Sequence, residues 1–154
     1  MKVAIGSDHG GFKLKKEVNK FLNGKGIEFQ DYGTYSEASC DYADYAEVVS
    51  NAVTSGKFDF GILICGTGIG IGIAANKISG IRAALCHDTF SARACREHND
   101  ANILTLGERV IGPGLAMDIV DIFLNTKFSE EERHIKRINK ISEIEKKRGE
   151  KINE

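Results

Sequence analysis

Runs of apolar residues alternate with segments of mixed polarity along this chain, and the two kinds of segment predict different elements. The apolar run at residues 58–65 is typical of a strand that is buried on both faces of a parallel sheet. Shorter apolar runs predict further strands at residues 3–6, 27–32, 81–86 and 103–106.

The segments between these strands carry apolar residues three and four positions apart, which indicates helices with one buried face. They lie at residues 12–22, 42–53, 73–78, 88–98 and 114–124. Strands that alternate with helices predict an α/β fold, here a Rossmann-like three-layer α/β/α sandwich with a five-stranded parallel sheet. A chain of 154 residues has the length of one domain, which we expect to span residues 1–154.

The C-terminal segment, residues 129–154, combines dense charge with a stripe of isoleucines at three-residue spacing. The stripe consists of Ile135, Ile138, Ile141 and Ile144. Ser129 followed by Glu132 has the spacing of a capping box, so we expect a long helix that begins near Ser129 and buries one face. Two placements fit this pattern. The helix packs on its own sheet, or it lies as an arm across a second subunit and serves dimerisation.

The charge balance and the absence of long apolar stretches limit the partners and the location that we expect. A net charge of −1 provides no basic field to hold nucleic acid or a membrane surface. The first apolar run stops after Ile5, which is too short for a signal peptide, and no stretch approaches the ~20 residues that cross a bilayer. We therefore expect a cytoplasmic protein whose four cysteines are free thiols.

Side chains capable of chemistry follow several of the predicted strands directly. Asp8 and His9 follow the first strand, Cys65 ends the third, and Arg109 comes soon after the fifth. Parallel α/β sheets bind their ligands beyond the carboxyl ends of the strands. The sequence therefore predicts one site at this edge of the sheet.

A glycine-rich loop, Cys65-Gly66-Thr67-Gly68-Ile69-Gly70, leaves the buried strand and opens a helix. Glycines let backbone N–H groups turn towards a ligand, so the loop predicts an anion site, most often for phosphate. The loop lacks the spacing of a dinucleotide fingerprint and the Gly-Lys-Ser/Thr of a Walker loop. Glycines that serve only tight packing are the alternative.

A phosphate also needs countercharge. Arg133 and Arg137 are four residues apart, so they share one face of the predicted C-terminal helix, and Arg109 is a third candidate. A solvated charged face is the alternative for the helical pair.

Cys65 is the candidate reacting group, because a thiol at a helix N-terminus can act as a thiolate nucleophile or general base. Thr67 carries a hydroxyl that could pass a proton, and His98 is a candidate acid or base near the end of the fourth predicted helix. The histidines, cysteine and aspartate lack tight ligand spacing, so we expect no metal.

Seven short blocks of sequence together resemble a known family. The blocks are Gly6-Ser7-Asp8-His9-Gly10-Gly11, Asp41-Tyr42, Cys65-Gly66-Thr67-Gly68-Ile69-Gly70 with Ala74-Ala75-Asn76-Lys77, Arg82-Ala83-Ala84, His98-Asn99-Asp100-Ala101-Asn102, Leu106-Gly107, and Arg133-His134-x-x-Arg137-Ile138. In this order and along essentially the whole chain, they closely resemble the type B ribose-5-phosphate isomerases. Isomerases of allose 6-phosphate and galactose 6-phosphate belong to the same family.

The resemblance implies an enzyme of the pentose phosphate pathway that interconverts D-ribose 5-phosphate and D-ribulose 5-phosphate. It implies ring opening and a cis-enediolate, with neither a metal nor a cofactor. It also implies a homodimer, or a dimer of dimers, whose sites lie at the subunit interface. A hexose 6-phosphate as substrate is the alternative, and a non-catalytic nucleotide- or phosphate-binding module is a remote one.

The resemblance also implies a role for each matching residue. Cys65 is then the general base at C2, Thr67 moves a proton between O1 and O2, and His98 opens the sugar ring with help from Asp8. The implied substrate ligands are His9, Tyr42, Gly66, Gly68, Ile69, Gly70, Asn99, Arg109, Arg133 and Arg137. Family members without the cysteine place a glutamate base at the position of Ile71, so this sequence resembles the cysteine branch.

Overall fold

The structure is a computed structural model that describes the backbone of residues 1–150 and the side chains of residues 1–147. Over these residues the strands are β1 (Lys2–Ser7), β2 (Glu28–Asp31), β3 (Phe60–Cys65), β4 (Ala83–Leu85) and β5 (Ile103–Gly107). The helices are α1 (Phe12–Gly24), α2 (Tyr42–Thr54), α3 (Ile69–Ala75), α4 (Thr89–Asn99), α5 (Pro113–Asn125) and α6 (Glu132–Glu150), with a 3-10 turn at His9–Gly11. The predicted strands and helices are confirmed, with shifts of a few residues at their ends.

The five strands form one parallel sheet in the order β2-β1-β3-β5-β4. Side chains of β3 alternate between the two faces: Ile62 and Ile64 pack with α1 and α5, whereas Leu63 and Cys65 pack with α2 and α3. The sheet is thus covered on both faces, which confirms the predicted three-layer sandwich. Because β3 is central and buried, its last residue lies at the middle of the carboxyl edge.

Asn76 explains why α3 ends before residue 78. Its side-chain amide donates to the carbonyl of Ala83 at 2.9 Å, and its amide oxygen accepts from the N–H of Ala83 at 2.8 Å. The side chain thereby pairs with the first residue of β4 as a neighbouring strand would. A continued helix would carry Asn76 away from this contact.

The capping box predicted at Ser129 is wrong. The helix α6 begins at Glu132, and the Ser129 hydroxyl lies 2.7 Å from Nδ1 of His134 instead. The helix packs against α4, and near its far end the Glu145 carboxylate accepts from the N–H of Gly80 at 3.0 Å. The arm predicted for residues 129–154 is described to residue 150; residues 151–154 lie outside the described residues.

The isoleucine stripe of α6 is not buried on the sheet of its own chain. Ile135, Ile141 and Ile144 are 41%, 48% and 69% exposed, which contradicts the first of the two placements. Ile141 and Ile144 line a groove of about 700 Å³ between α6, α4 and the start of β4.

Within residues 1–150, none of the helices combines the length and the apolar character that a membrane crossing requires.

Candidate functional site

The first part of the site is built around Asp8, directly after β1. The carboxylate accepts hydrogen bonds from the N–H groups of Gly10 and Gly11 at 2.8 and 3.1 Å, which closes the 3-10 turn. A Cβ at Gly10 would lie 3.1 Å from the nitrogen of Gly66, so this turn packs closely against the loop that follows β3. The buried Asp8 therefore lies beside the glycine-rich loop, as predicted.

Cys65 is the last residue of β3, and its sulfur is buried at the start of the glycine-rich loop. The N–H of Gly68 donates to this sulfur at 3.1 Å, and the N–H of Ile69 donates to the Thr67 hydroxyl at 3.2 Å. The loop thus wraps around the thiol before α3 begins. Gly68 has a φ of +76°, a backbone conformation that favours glycine.

The loop lies across the end of β5. A Cβ at Gly107 would come within 2.6 Å of the Thr67 carbonyl, so a glycine is needed there for the loop to pass. The pairing of β3 and β5 continues beyond the strands, since the N–H of Arg109 donates to the Gly66 carbonyl at 3.0 Å. The Arg109 guanidinium consequently lies against Gly66, with its carbon 3.4 Å from the place of a Cβ.

Two ring side chains complete this side of the site. The Tyr42 ring covers Gly70, where a Cβ would lie only 2.8 Å from the ring. His9 projects towards the loop before α2, where its Nδ1 lies 3.2 Å from the N–H of Cys40. The carboxyl-edge group, as we call it, consists of Asp8, His9, Tyr42, Cys65, Gly66, Thr67, Gly68, Ile69, Gly70 and Arg109.

The remaining predicted site residues form an amino-edge group, which consists of His98, Asn99, Arg133 and Arg137. Asn99 ends α4, and its carbonyl accepts from Nε of Arg82 at 3.0 Å, just before β4 begins. The start of α6 is tied to the same place, because the N–H of Ser129 donates to the Glu97 carbonyl at 3.1 Å. These contacts place the group at the edge of the sheet opposite to Cys65.

His134, the residue after Arg133, is a titratable side chain that lies beside the amino-edge group. The rings of His98 and His134 are 4.5 Å apart between centroids. Burial lowers the pKa of His134 below its ordinary value, and the charges of His98 and Arg133 lower it further. Arg133 donates to the Glu131 carboxylate at 2.7 Å, which lowers the pKa of Glu131. A proton on His134 is therefore disfavoured beside two exposed arginines, Arg133 and Arg137.

One chain does not bring the two groups together. Along β3, strand geometry separates the two edges of the sheet by about 13 Å between Gly61 and Cys65. Within the part of the chain that the structure describes, no hydrogen bond or ion pair joins a residue of one group to a residue of the other.

The family model described as Ribose/Galactose Isomerase matches residues 3–141. The chain belongs to this family. A solved structure of ribose-5-phosphate isomerase B from Clostridium thermocellum is 57% identical, with a TM-score of 0.94 over 96% of this chain and 99% of that chain. The Escherichia coli ribose-5-phosphate isomerase B is 49% identical over 96% of this chain and 99% of its own length.

The family also includes relatives named for other sugars. The D-erythrulose-4-phosphate isomerase of Pectobacterium atrosepticum is 44% identical over 83% of this chain and 85% of its own length. The predicted family and fold are thus confirmed, and the protein is an isomerase rather than a binding module.

Two supporting contacts around the carboxyl-edge group escape prediction from the sequence. The Glu108 carboxylate accepts from the N–H of Leu14 at 2.8 Å, which ties the loop that carries Arg109 to the first turn of α1. Cys40 holds the ring of His9, as described above. Glu108 follows a strand end, which is a usable signal, whereas nothing in the sequence marks Cys40 as a neighbour of His9.

The carboxyl-edge group is suited to moving protons on a small polar substrate. It combines a thiol, a hydroxyl and a carboxylate with backbone N–H groups that can hydrogen-bond to negatively charged oxygens. Within the residues described by the structure, no three His, Cys, Asp or Glu side chains come together as metal ligands.

Proposed function

We propose that this isomerase interconverts D-ribose 5-phosphate and D-ribulose 5-phosphate through a cis-enediolate, with Cys65 as the general base. One observation carries the assignment of the base: the Cys65 sulfur is held at the carboxyl edge by the Gly68 N–H, inside a loop of backbone amides. Relatives named ribose-5-phosphate isomerase B, 49% and 57% identical, support the choice of sugar. In this proposal residues 1–154 work as one catalytic domain without a cofactor.

The chemistry requires one base that reaches both C1 and C2 of the open-chain sugar. Cys65 removes the proton from C2 of the aldose and returns it to C1, which yields the ketose. The Thr67 hydroxyl transfers the second proton between O1 and O2. The N–H groups of Gly68 and Ile69 donate to Cys65 and Thr67, and the other backbone N–H groups of residues 66–70 stabilise the negative charge that develops on O1 and O2. This kind of stabilisation is a large part of many enzymatic rates.

The separation of the two groups supports a site shared between two copies of the chain. In our proposal His98 of the partner subunit acts with Asp8 to open the furanose ring. The exposed Ile135, Ile141 and Ile144 give α6 an apolar stripe with which it can serve as the dimerisation arm. The active unit is then a homodimer, or a dimer of dimers.

Phosphate recognition is divided in the same way. Arg109 belongs to the carboxyl-edge group, whereas Arg133 and Arg137 come from the partner subunit. A guanidinium group can bind two phosphate oxygens at once through two of its N–H groups. These contacts fix the end of the substrate that is remote from C1 and C2. Binding energy at the phosphate then serves to orient the reacting carbons at Cys65. His9, Tyr42 and Asn99 contact the sugar between these ends.

A comparison of substrates tests the choice of sugar. The purified enzyme is assayed with ribose 5-phosphate, allose 6-phosphate, galactose 6-phosphate and erythrose 4-phosphate, since the family includes enzymes named for other sugars. We expect the highest kcat/KM with ribose 5-phosphate. A higher value with a hexose 6-phosphate or with erythrose 4-phosphate would replace ribose as the substrate, and turnover of none of the four would overturn the proposed function.

A further inference from the structure

The imidazole of His98 lies at the end of a helix and is about half exposed, yet it rests on a fixed surface. The ring of His134 lies beneath it, with 4.5 Å between the ring centroids and 40° between the planes. His134 itself is only 3% exposed. A side chain at a helix end would otherwise change rotamer freely, so this contact restricts the orientations of His98.

His134 is in turn anchored to the helix turn that carries His98. Its Nδ1 lies 2.7 Å from the Ser129 hydroxyl, and the N–H of Ser129 donates to the carbonyl of Glu97 at 3.1 Å. Glu97 precedes His98 directly. The four residues therefore form a closed circuit of contacts, in which α4 and the start of α6 hold the two rings together.

We propose that His134 is a positioning residue, which orients His98 for opening of the sugar ring. This inference rests on the proposed function, in which His98 is the acid and base for that step. Proton transfer requires the imidazole nitrogen to be within hydrogen-bond reach of the ring oxygen, and an error of one ångström in such a group can lower a rate by ~10²-fold.

The charge state of His134 agrees with this role. Burial, His98, Arg133 and Arg137 all disfavour a proton on His134, and only the Glu131 carboxylate favours one. A neutral imidazole beneath His98 adds no positive charge next to the group that must accept and donate a proton. A charged one would oppose protonation of His98 during the step.

Ring opening can be measured separately from the later chemistry, because only one of the two sugars is a ring. Ribose 5-phosphate is a furanose formed by O4 on C1. Ribulose 5-phosphate cannot close a five-membered ring on C2, because its O5 is bonded to phosphorus. Exchange of its C1 hydrogen with solvent deuterium therefore requires the base and the enediolate, but not ring opening.

Two substitutions distinguish the ring contact from the hydrogen bond. The His134→Phe variant keeps an aromatic ring beneath His98 and loses the bond to Ser129, whereas His134→Asn keeps a polar atom near Ser129 and loses the ring. We expect His134→Asn to lower kcat with ribose 5-phosphate by roughly 10- to 100-fold. Its rate of C1 exchange on ribulose 5-phosphate should stay within about twofold of wild type, and His134→Phe should retain more ribose turnover than His134→Asn.

The His98→Asn variant is the reference, because it should show the same selective loss of ribose turnover. Equal loss of both rates in His134→Asn would mark His134 as merely structural and overturn the proposal, as would unchanged ribose turnover. A wild-type enzyme that fails on ribose 5-phosphate, or a His98→Asn variant that loses both rates equally, would instead overturn the proposed function. Circular dichroism and size-exclusion chromatography accompany each variant.

Discussion

The backbone amide of Gly68 donates a hydrogen bond to the sulfur of Cys65, at 3.1 Å, from the far side of the glycine-rich loop. Gly68 has a φ of +76°, and a Cβ there would lie 2.8 Å from the carbonyl carbon of Leu106. The position of the thiol thus depends on a residue that tolerates both the positive φ and the close approach of β5. No other amino acid meets both requirements.

A Gly68→Ala variant should lose most of its isomerase activity and some of its stability. The added methyl group has to displace β5 or the loop, and a residue forced into this region of φ is destabilised by about 1–3 kcal/mol. Gly114→Ala is the matched control, because open space surrounds the place of its Cβ within the described residues. Gly68→Ala and Gly114→Ala are compared by their thermal unfolding temperatures and their kcat values. Wild-type kcat in Gly68→Ala would show that the loop does not depend on this glycine.

A site shared between subunits should be restored by mixing two inactive variants. Chains with Cys65→Ala and chains with His98→Ala are mixed in equal amounts, unfolded and refolded together. Half of the dimers are then mixed, and each has one site with both native residues, so activity should return to about one quarter of wild type. Each variant refolded alone is the control. Mixed samples that stay as inactive as the separate ones would mean that His98 does not act in the partner's site.

Substitution of either helical arginine should weaken the binding of the phosphate. We expect Arg133→Ala and Arg137→Ala each to raise KM for ribose 5-phosphate by roughly tenfold, with a smaller effect on kcat, because the phosphate is remote from the reacting carbons. Lys136→Ala removes a positive charge from the same helix and should leave KM near wild type. If all three variants raise KM equally, the effect is a general one of charge; if none does, the arginines lie on a solvated face.

The lowered pKa of His134 predicts how stability depends on pH. Unfolding releases His134 to its ordinary pKa of 6.5, so below that pH the unfolded chain binds a proton that the folded chain resists. The contribution of unprotonated His134 to the free energy of unfolding is therefore present above pH 6.5, and it is lost as the pH falls through the lower pKa of the folded state. Urea unfolding at about pH 8 and pH 5.5 should show a larger loss of stability for wild type than for His134→Phe, which has no proton to bind. Equal losses would contradict the burial of a neutral His134.

The hydrophobic pattern predicts most of the fold, because one residue in three or four along a helix contacts the core and the inner strands are buried along nearly their whole length. Lys15 is a buried residue that the short-range pattern does not reveal. It lies among Lys13 and Lys16 as if in a solvated run, yet it shares a helix face with Val18 and Leu22 and is 1% exposed. Asp31 and the Thr34 carbonyl bind its ammonium group at 2.5 and 2.7 Å. These partners are distant in sequence, so no local pattern reveals them.

The edge of the sheet on which each site residue lies can be predicted from the sequence, whereas a contact between distant segments cannot. All strands of a parallel sheet end at the same edge, which is enough to predict that Asp8, Cys65 and Arg109 lie on that edge. The placement of His98 at the opposite edge follows from the direction of α4, which runs back before β5 begins. Its stacking on His134 could not be predicted, because it depends on the loop at Ser129 and on where α6 starts.

The most direct measurement is the rate at which a Cys65→Ala variant interconverts the two sugar phosphates, together with deuterium exchange at C1 of ribulose 5-phosphate. A general base in this role should raise the rate by ~10²–10⁴-fold. Both rates should therefore fall by that factor in Cys65→Ala, while the fold and the oligomeric state are retained. A Cys95→Ser variant, which changes another free cysteine, should keep both rates. Substantial turnover and exchange in Cys65→Ala would contradict the assignment of Cys65 as the base.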